Sequence, residues 1–272
     1  MDINAIKKKL DILSNKSNSY SNNNKNLFWK PSPGKQVIRV VPSKFNDKTP
    51  FTEMRFYYGI GDKKVMASPV NWGEKDPIYE FAKTLRQSDD KENWALAKKL
   101  SSKMRTFAPI IVRGEESEGV KLWQFGKEVY EAFLQMAVDE EIGDFTDVMS
   151  GRDIKLTTVG PESTGTPYNR TTISPSLKTS HLMESKEEID KLLEEQVNPM
   201  DLFKPLPYDE MKQALMDWLE PESDEDEIIS ETADEFDDLN PPKKESKPYS
   251  MQVKKKKADS FDELFKEEET NS

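Results

Sequence analysis

Short apolar runs that suit β-strands alternate with helical patterns over residues 28–219 of the chain. Six runs are rich in Val, Ile, Thr and aromatic residues and are bounded by Pro, Gly, Asp or Asn, as short strands are. They cover residues 35–41, 51–58, 63–67, 107–113, 120–125 and 153–159. Their spacing favours a small β-barrel with helical insertions over alternating βαβ units.

Five segments place apolar residues at helical spacing. The first opens with Pro77, which a first helical turn tolerates, and the second begins with an aspartate suited to capping. In the third, the spacing predicts that Val129, Phe133 and Met136 face the core. The predicted helices cover residues 77–86, 89–105, 127–141, 185–196 and 207–219. Strands and helices together predict an α+β fold.

The two ends differ from this folded core. Residues 1–27 form a predicted basic arm and linker, in which helically spaced Ile and Leu stand beside Lys7, Lys8 and Lys9. The alternative for the arm is a frayed terminus. Residues 220–272 form a predicted disordered acidic tail, because their first 21 residues contain 11 acidic residues and no basic one.

The composition fits one globular domain with polar ends. Of the 272 residues, 35% are apolar and 33% charged, and the mean hydropathy is −0.82. The chain has no cysteine and one histidine, His181, which excludes disulfides, thiolate zinc sites and Cys-His catalysis and argues against a Ser-His-Asp enzyme. We find no signal peptide and no apolar run long enough to span a bilayer, so we expect a soluble, non-enzymatic protein of a reducing compartment, without metal or cofactor.

The charge is unevenly distributed. Residues 1–180 carry 28 Lys and Arg against 23 Asp and Glu, a net charge of +5. Residues 181–272 carry 12 against 28, a net charge of −16. A basic, aromatic-rich body followed by an acidic tail predicts a nucleic-acid binder whose tail competes for the same surface.

Single-stranded nucleic acid requires cations along its phosphates and flat side chains on which its bases stack. Both kinds of residue interleave in the core. Arg39 lies between two apolar strand residues, so alternation predicts that it faces outward. The alternative for each ring is burial in the core, as for most aromatic residues in strands. The candidate DNA-binding residues are Lys35, Arg39, Lys44, Arg55, Tyr57, Trp72, Trp94, Lys98, Lys99, Lys103, Arg105, Phe107, Lys121, Trp123, Tyr168 and Arg170.

The acidic tail contains a short repeat. DEFDDL and DSFDEL both fit D-x-F-D-[DE]-L and stand 25 residues apart. Each copy has Phe and Leu on one face of a helical turn, which suits a partner-docking motif with anchors Phe236 and Leu239, and Phe261 and Leu264. Chance in an acid-rich stretch is the alternative.

Two segments resemble a known family. GKQVIRVVPSK at residues 34–44 and LWQFGKEVYEAF at residues 122–133 are similar to the single-stranded DNA-binding, helix-destabilising proteins of T-even-type phages. The order of basic arm, body and acidic tail also matches. The resemblance implies an OB-type barrel with a helical subdomain, in which residues 28–219 form the single-stranded DNA-binding core.

The resemblance also implies how such a protein works. The strand would lie in a groove that includes Arg39, Lys99, Lys103, Arg105, Phe107, Trp123 and Tyr168, and binding would be cooperative through Lys7, Lys8 and Lys9. The acidic tail would cover the groove when DNA is absent and recruit a polymerase, a helicase loader and a recombinase mediator. The protein would act in the cytoplasm of an infected bacterial host.

The chain departs from the family at one point. The family holds zinc through one His and three Cys, and Tyr58, Ser68, Asp76 and Tyr79 stand about where those ligands would fall. We therefore expect packing to hold this subdomain, with Trp72, Tyr79 and Phe81 as candidates.

These observations favour a protein that coats and protects single-stranded DNA during replication, recombination and repair, largely regardless of sequence. An RNA-binding translational regulator is the alternative, since stacking does not depend on the sugar. A nuclease is a third possibility, but no persuasive spacing of metal-binding carboxylates is found.

Overall fold

A computed structural model describes residues 27–61 and 63–219. The predicted arm lysines Lys7, Lys8 and Lys9 and the tail anchors Phe236, Leu239, Phe261 and Leu264 lie outside these residues. The strands of the described part are β1 (Phe28–Trp29), β2 (Gly34–Val40), β3 (Thr52–Ile60), β4 (Lys63–Ala67), β5 (Lys103–Val112), β6 (Lys121–Phe125), β7 (Arg152–Val159) and β8 (Arg170–Thr179). The helices are α1 (Pro77–Arg86), α2 (Lys91–Lys99), α3 (Lys127–Ala137), α4 (Pro161–Thr164), α5 (Lys186–Glu194), α6 (Pro199–Leu202) and α7 (Tyr208–Leu219).

The described chain divides into two compact units. The first comprises residues 27–52, 106–165 and 169–198, and the second comprises residues 53–105 without residue 62, residues 166–168 and residues 199–219. Strand β5 begins in the second unit and continues in the first, because the boundary falls between Arg105 and Thr106.

The first unit contains most of the sheet. Its strands pair in the order β1-β6-β5-β2-β7-β8, with β1 parallel to β6 and the other pairs antiparallel. Helix α3 turns Val129, Phe133 and Met136 onto the sheet core at i, i+4 and i+7, as predicted. A second cluster forms where α5 buries Ile189 and Leu192. Ser185 and Glu188 form a capping box that starts α5.

The second unit packs helices against a β-hairpin. Strand β3 pairs with β4 and also with β5. Helix α1 begins after the cap Asp76 and buries Ile78, Phe81, Ala82 and Leu85 on one stripe. Helices α2 and α7 complete the core, since α2 buries Leu96 and Ala97 and α7 buries Met211, Ala214, Leu215 and Leu219.

The α+β class is confirmed, but the sheet of the described residues is not a closed barrel. Strands β1 and β8 each have a single paired neighbour there, so the path of paired strands is open. All six predicted strands are present. Strands β1 and β8 and the short helices α4 and α6 were not predicted.

Two predicted helices are shorter than expected. The segment 89–105 is helical only over Lys91–Lys99, and from Lys103 the chain is already strand β5. Helix α3 ends at Ala137, before the turn in which Gly143 adopts a positive φ. Among the described residues, no helix combines the length and apolar character needed to cross a membrane.

Candidate nucleic-acid interface

Helix α2 presents a ring and two cations on one exposed face. Asp90 caps the helix by accepting a hydrogen bond from the backbone N–H of Glu92. Lys91, Trp94 and Lys98 then follow at i, i+3 and i+7, so they share one side of the helix. The Trp94 side chain is 59% exposed, and both lysines are exposed. This face provides a stacking platform flanked by two positive charges.

A second ring of the second unit lies beside cations. The Lys103 Nζ lies 5.7 Å from the centroid of the Tyr58 ring, and the Arg105 Cζ lies 5.3 Å from it. Tyr58 is half-buried, whereas Arg105 is only 3% exposed. The cations therefore hold the ring in place through its π face. Sequence reasoning chose Lys103 and Arg105 for the interface but missed Tyr58.

The sequence held a signal for Tyr58. Phe56, Tyr57 and Tyr58 are consecutive on strand β3, so Tyr57 faces away from its two neighbours. Alternation divides the three rings between two faces but does not say which face is covered. In the structure Tyr57 lies in the core of the second unit, and Tyr58 keeps part of its surface exposed.

Three predicted stacking rings are buried, and their predicted role as exposed platforms is wrong. Tyr57 is 2% exposed, Phe107 0% and Trp123 1%. The Phe107 ring packs 6.4 Å from that of Phe28, and Trp123 meets Trp29 edge-on at 5.6 Å. All three rings are buried in the protein interior, so they offer no face to a base.

The prediction that Arg39 faces outward is also wrong. Its side chain is 0% exposed, and its Nη2 donates hydrogen bonds to the carbonyl oxygens of Asp147 at 2.7 Å and Ser180 at 2.8 Å. Its Nη1 donates to Ser180 Oγ at 3.0 Å and lies 3.3 Å from Asp153 Oδ1. Burial lowers the pKa of the guanidinium, and Asp153 opposes that shift. Alternation failed because loops cover the second face of β2, so Arg39 fastens these loops to the sheet.

Arg105 is also buried, at 3% exposed, because it lies against the Tyr58 ring at the start of β5. The remaining predicted residues are wholly or partly accessible, and several have acidic or carbonyl partners. Lys44 Nζ donates to the carbonyl oxygen of Glu194 at 3.1 Å. Lys121 pairs with Glu118 at 2.9 Å, and Arg170 lies 3.6 Å from the carboxylate of Glu128. The exposed members are Lys35, Lys44, Arg55, Trp94, Lys98, Lys99 and Arg170, and the half-buried members are Trp72, Lys103, Lys121 and Tyr168.

The second unit holds most of this accessible set. The backbone of Arg55 is held by Asn71, because the Asn71 side chain accepts a hydrogen bond from the Arg55 N–H and donates one to the Arg55 carbonyl. The half-buried Trp72 follows Asn71 in the chain. The second unit also contains the accessible residues Trp94, Lys98, Lys99, Lys103 and Tyr168, and the first contains Lys35, Lys44, Lys121 and Arg170. Cations and accessible rings of the second unit therefore form a chemical set that suits a nucleic-acid strand.

Comparison with known families decides the assignment. The model of the family described as gp32 DNA binding protein like matches residues 32–219, which is more than half of the chain. The chain belongs to this gp32-like DNA-binding family. A comparison with curated proteins finds no matching relative. Family membership makes the core a DNA-binding domain and supports single-stranded DNA as its ligand.

The gp32-like domain includes parts of both units. The match ends at Leu219, the last residue of helix α7, and it leaves the basic arm and acidic tail outside. The accessible rings Tyr58, Trp72, Trp94 and Tyr168 all fall within it.

Three of the four positions that the resemblance aligned with zinc ligands, Ser68, Asp76 and Tyr79, join Tyr57 in a hydrogen-bond network instead. Tyr57 Oη donates to Asp76 Oδ2 at 2.9 Å, and Ser68 Oγ donates to the same oxygen. The backbone N–H of Tyr79 donates to Asp76 Oδ1 at 3.0 Å, so Asp76 also caps helix α1. Its carboxylate oxygens are thus already engaged, and without cysteine thiolates these residues do not fit a structural zinc ion.

This network is buried and charged. Tyr57, Ser68 and Asp76 are each no more than 2% exposed. Burial raises the pKa of the Tyr57 hydroxyl, and the neighbouring Asp76 carboxylate raises it further. Of the side chains expected to hold this region, Phe81 is in the core as predicted, whereas Tyr79 is 49% exposed.

Proposed function

We propose that this protein coats single-stranded DNA, largely regardless of sequence, and acts by binding rather than by catalysis. The observation that carries the proposal is the gp32-like DNA-binding domain over residues 32–219. The exposed Trp94 between Lys91 and Lys98 supports it, because a ring beside cations can stack on a base while the cations contact phosphates. The half-buried Tyr58 beside Lys103 and Arg105 supports it further.

The proposal extends to the parts outside the domain. Lys7, Lys8 and Lys9 would mediate cooperative self-association along the strand, through an OB-type core. The acidic tail would compete with DNA and, through its two D-x-F-D-[DE]-L copies, recruit replication and recombination proteins. We place this activity in the cytoplasm of an infected bacterium, in DNA replication, recombination and repair. The resemblance and the charge distribution support these points.

A fluorescence titration with poly(dT) tests the function directly. The protein has five tryptophans, and Trp94 is the one whose exposure suits stacking best. Stacking would quench the emission until the strand is saturated, and the break point gives the number of nucleotides per protein. We expect log affinity to fall linearly with log salt, at about 0.7 for each phosphate neutralised. An emission that does not respond to poly(dT) at low salt would contradict the proposal.

A further inference from the structure

The first unit carries a groove whose lining contains none of the candidate DNA-binding residues. The groove encloses about 700 Å³ and lies between the loop that leads from β2 to β3 and the end of α3 with the turns that follow it. Phe51 and Phe145 form its buried floor. Leu134 is 42% exposed and Val138 is 81% exposed at its side. Two exposed aliphatic side chains beside a floor of aromatic rings suit the binding of a peptide segment with apolar side chains.

The rim of the groove is acidic. Its lining includes four carboxylates, those of Asp47, Asp139, Glu140 and Asp144, and a single cation, Lys48. None of these four carboxylates forms an ion pair within the part of the chain that the structure describes. The four carboxylates therefore remain available to a cationic ligand. Their attraction for a cation is stronger beside an apolar floor, where the effective dielectric constant is lower.

The chain itself contains a segment with the complementary pattern. In YSMQVKKKK at residues 249–257, Tyr249, Met251 and Val253 alternate with polar residues, and four lysines follow at once. An extended segment would place the three apolar side chains on one side. This stretch lies outside the described residues, and the DNA-binding function gives it no role.

We propose that residues 249–257 dock in this groove of the same chain. Tyr249, Met251 and Val253 face the apolar floor and side, and the lysines meet the four carboxylates of the rim. The 29 residues that separate Leu219 from Tyr249 span at most about 100 Å, so the tether does not prevent the contact. Covalent attachment also raises the effective concentration of the segment to about the millimolar range.

Docking would have a regulatory consequence. It fixes the point between the two acidic stretches of the tail, residues 220–240 and 259–272, to the first unit of the core. The two copies of D-x-F-D-[DE]-L lie on either side of the docked segment, so docking would keep both of them near the first unit. The inference goes beyond DNA binding and does not depend on it, because the contact is tested without DNA.

Disulfide trapping in the full-length protein tests the contact, because the natural chain has no cysteine. The test pair is Val138→Cys with Val253→Cys, and the matched control is Leu177→Cys with Val253→Cys. Leu177 is 92% exposed on β8 of the same unit but does not line the groove. Under copper–phenanthroline oxidation we expect the test pair to form a monomeric disulfide about ten-fold faster than the control pair.

Charge variants refine the test. Replacing the four lysines 254–257 by Glu should slow the test pair to the control rate. The rim variant Asp47→Asn, Asp139→Asn, Glu140→Gln and Asp144→Asn should do the same. Asn retains the Oδ1 acceptor with which Asp139 holds the Glu141 N–H and Asp144 holds the Thr146 N–H, so these turns persist. An unchanged urea midpoint of each variant confirms its fold.

Four results would overturn the inference. The first is an equal rate for the two cysteine pairs, and the second is a test-pair rate that the charge variants leave unchanged. The third is disulfide-linked dimer as the main product, which would mean that a second copy supplies the segment. The fourth is faster trapping of Val138→Cys with Ile6→Cys, which would identify the basic arm as the occupant.

Discussion

At the scale of single residues, burial separates aromatic side chains that hold the fold from those that can meet a base. Trp94 and Trp123 are both tryptophans beside lysines in the sequence, yet Trp94 is 59% exposed and Trp123 is 1% exposed. The difference arises because α2 buries only its Leu96 stripe, whereas β6 is covered by α3.

Replacing the exposed ring should weaken binding. For Trp94→Ala we expect a loss of about 1–3 kcal/mol in binding to a single strand, since a stacked base contributes that amount. Fluorescence anisotropy of a labelled oligo(dT) measures it. Leu177→Ala is the matched control, because Leu177 is an exposed apolar residue of the other unit. This variant should bind the oligonucleotide as tightly as the natural protein does. An unaltered affinity of Trp94→Ala would remove this residue from the interface.

The Tyr57 hydroxyl should stabilise the second unit. Tyr57→Phe leaves the buried Asp76 with one donor fewer, so we expect a loss of about 1–3 kcal/mol in the free energy of unfolding. Urea denaturation measures it. Tyr79→Phe is the control, since the Tyr79 ring is 49% exposed, and it should unfold like the natural protein. Equal midpoints for Tyr57→Phe and Tyr79→Phe would contradict a stabilising role for the network.

The same hydroxyl predicts a pH dependence. Because burial raises the pKa of Tyr57 in the folded state, the unfolded chain loses this proton first, near the ordinary tyrosine pKa of about 10. The contribution of Tyr57 is therefore complete below pH ~10 and declines as the pH rises above it. Urea unfolding at pH 8 and pH 10.5 should show a smaller decline for Tyr57→Phe than for the natural protein. Parallel declines would contradict the assignment.

At the scale of elements, two glycines of the β3–β4 hairpin have the same backbone conformation but different surroundings. Gly59 and Gly61 have φ of +64° and +60°. A Cβ at Gly59 would meet nothing within 4 Å, whereas one at Gly61 would lie 2.7 Å from the carbonyl oxygen of Ala214 on α7. The hairpin turn therefore approaches α7 through a position that only glycine fits.

This contrast gives a paired prediction. Gly59→Ala should cost about 1–2 kcal/mol of unfolding free energy, the cost of a left-handed conformation. Gly61→Ala should cost more, because the hairpin must also move away from α7. Thermal or urea unfolding of both variants measures the difference. Equal losses would mean that the hairpin does not rest on α7.

Elements were predictable where a local pattern was strong. The i, i+4, i+7 stripe of α3 and the alternation of β7 gave the correct structure. Strand β8 was missed because its run, RTTISPSLKT, contains few large apolar residues and is held by pairing with β7. Local patterns also cannot show which loops cover a strand, and for that reason Arg39 was predicted to be exposed although loops bury it.

For the candidate site, the sequence predicted the kind of ligand better than it predicted which individual residues are accessible to that ligand. Interleaved cations and rings indicated nucleic-acid binding, and family membership supports that conclusion. Trp94 and most of the candidate cations are accessible, as contact with DNA requires, whereas Tyr57, Phe107 and Trp123 are buried in the core. Tertiary packing decides between an exposed and a buried ring, and it is set by residues far apart in the sequence.

At the scale of the whole molecule, we expect the negative charge of the tail to oppose DNA binding from within the chain. Deleting residues 220–272 removes 18 acidic and 8 basic residues, a net charge of −10. We expect the truncated protein to bind a single strand more tightly at low salt, with the difference shrinking as salt screens the tail. Titrations of both proteins at two salt concentrations test this. A truncation without effect on affinity at low salt would contradict competition by the tail.

The most direct test of the account compares one DNA sequence in two forms. A labelled 30-nucleotide single strand and the same sequence as a blunt duplex are titrated with the full-length protein at equal salt. Rings such as Trp94 can stack only on bases that are free of a partner strand, so we expect binding to the single strand to be tighter by a factor of about 100 or more. Equal affinity for the two forms would contradict the central claim.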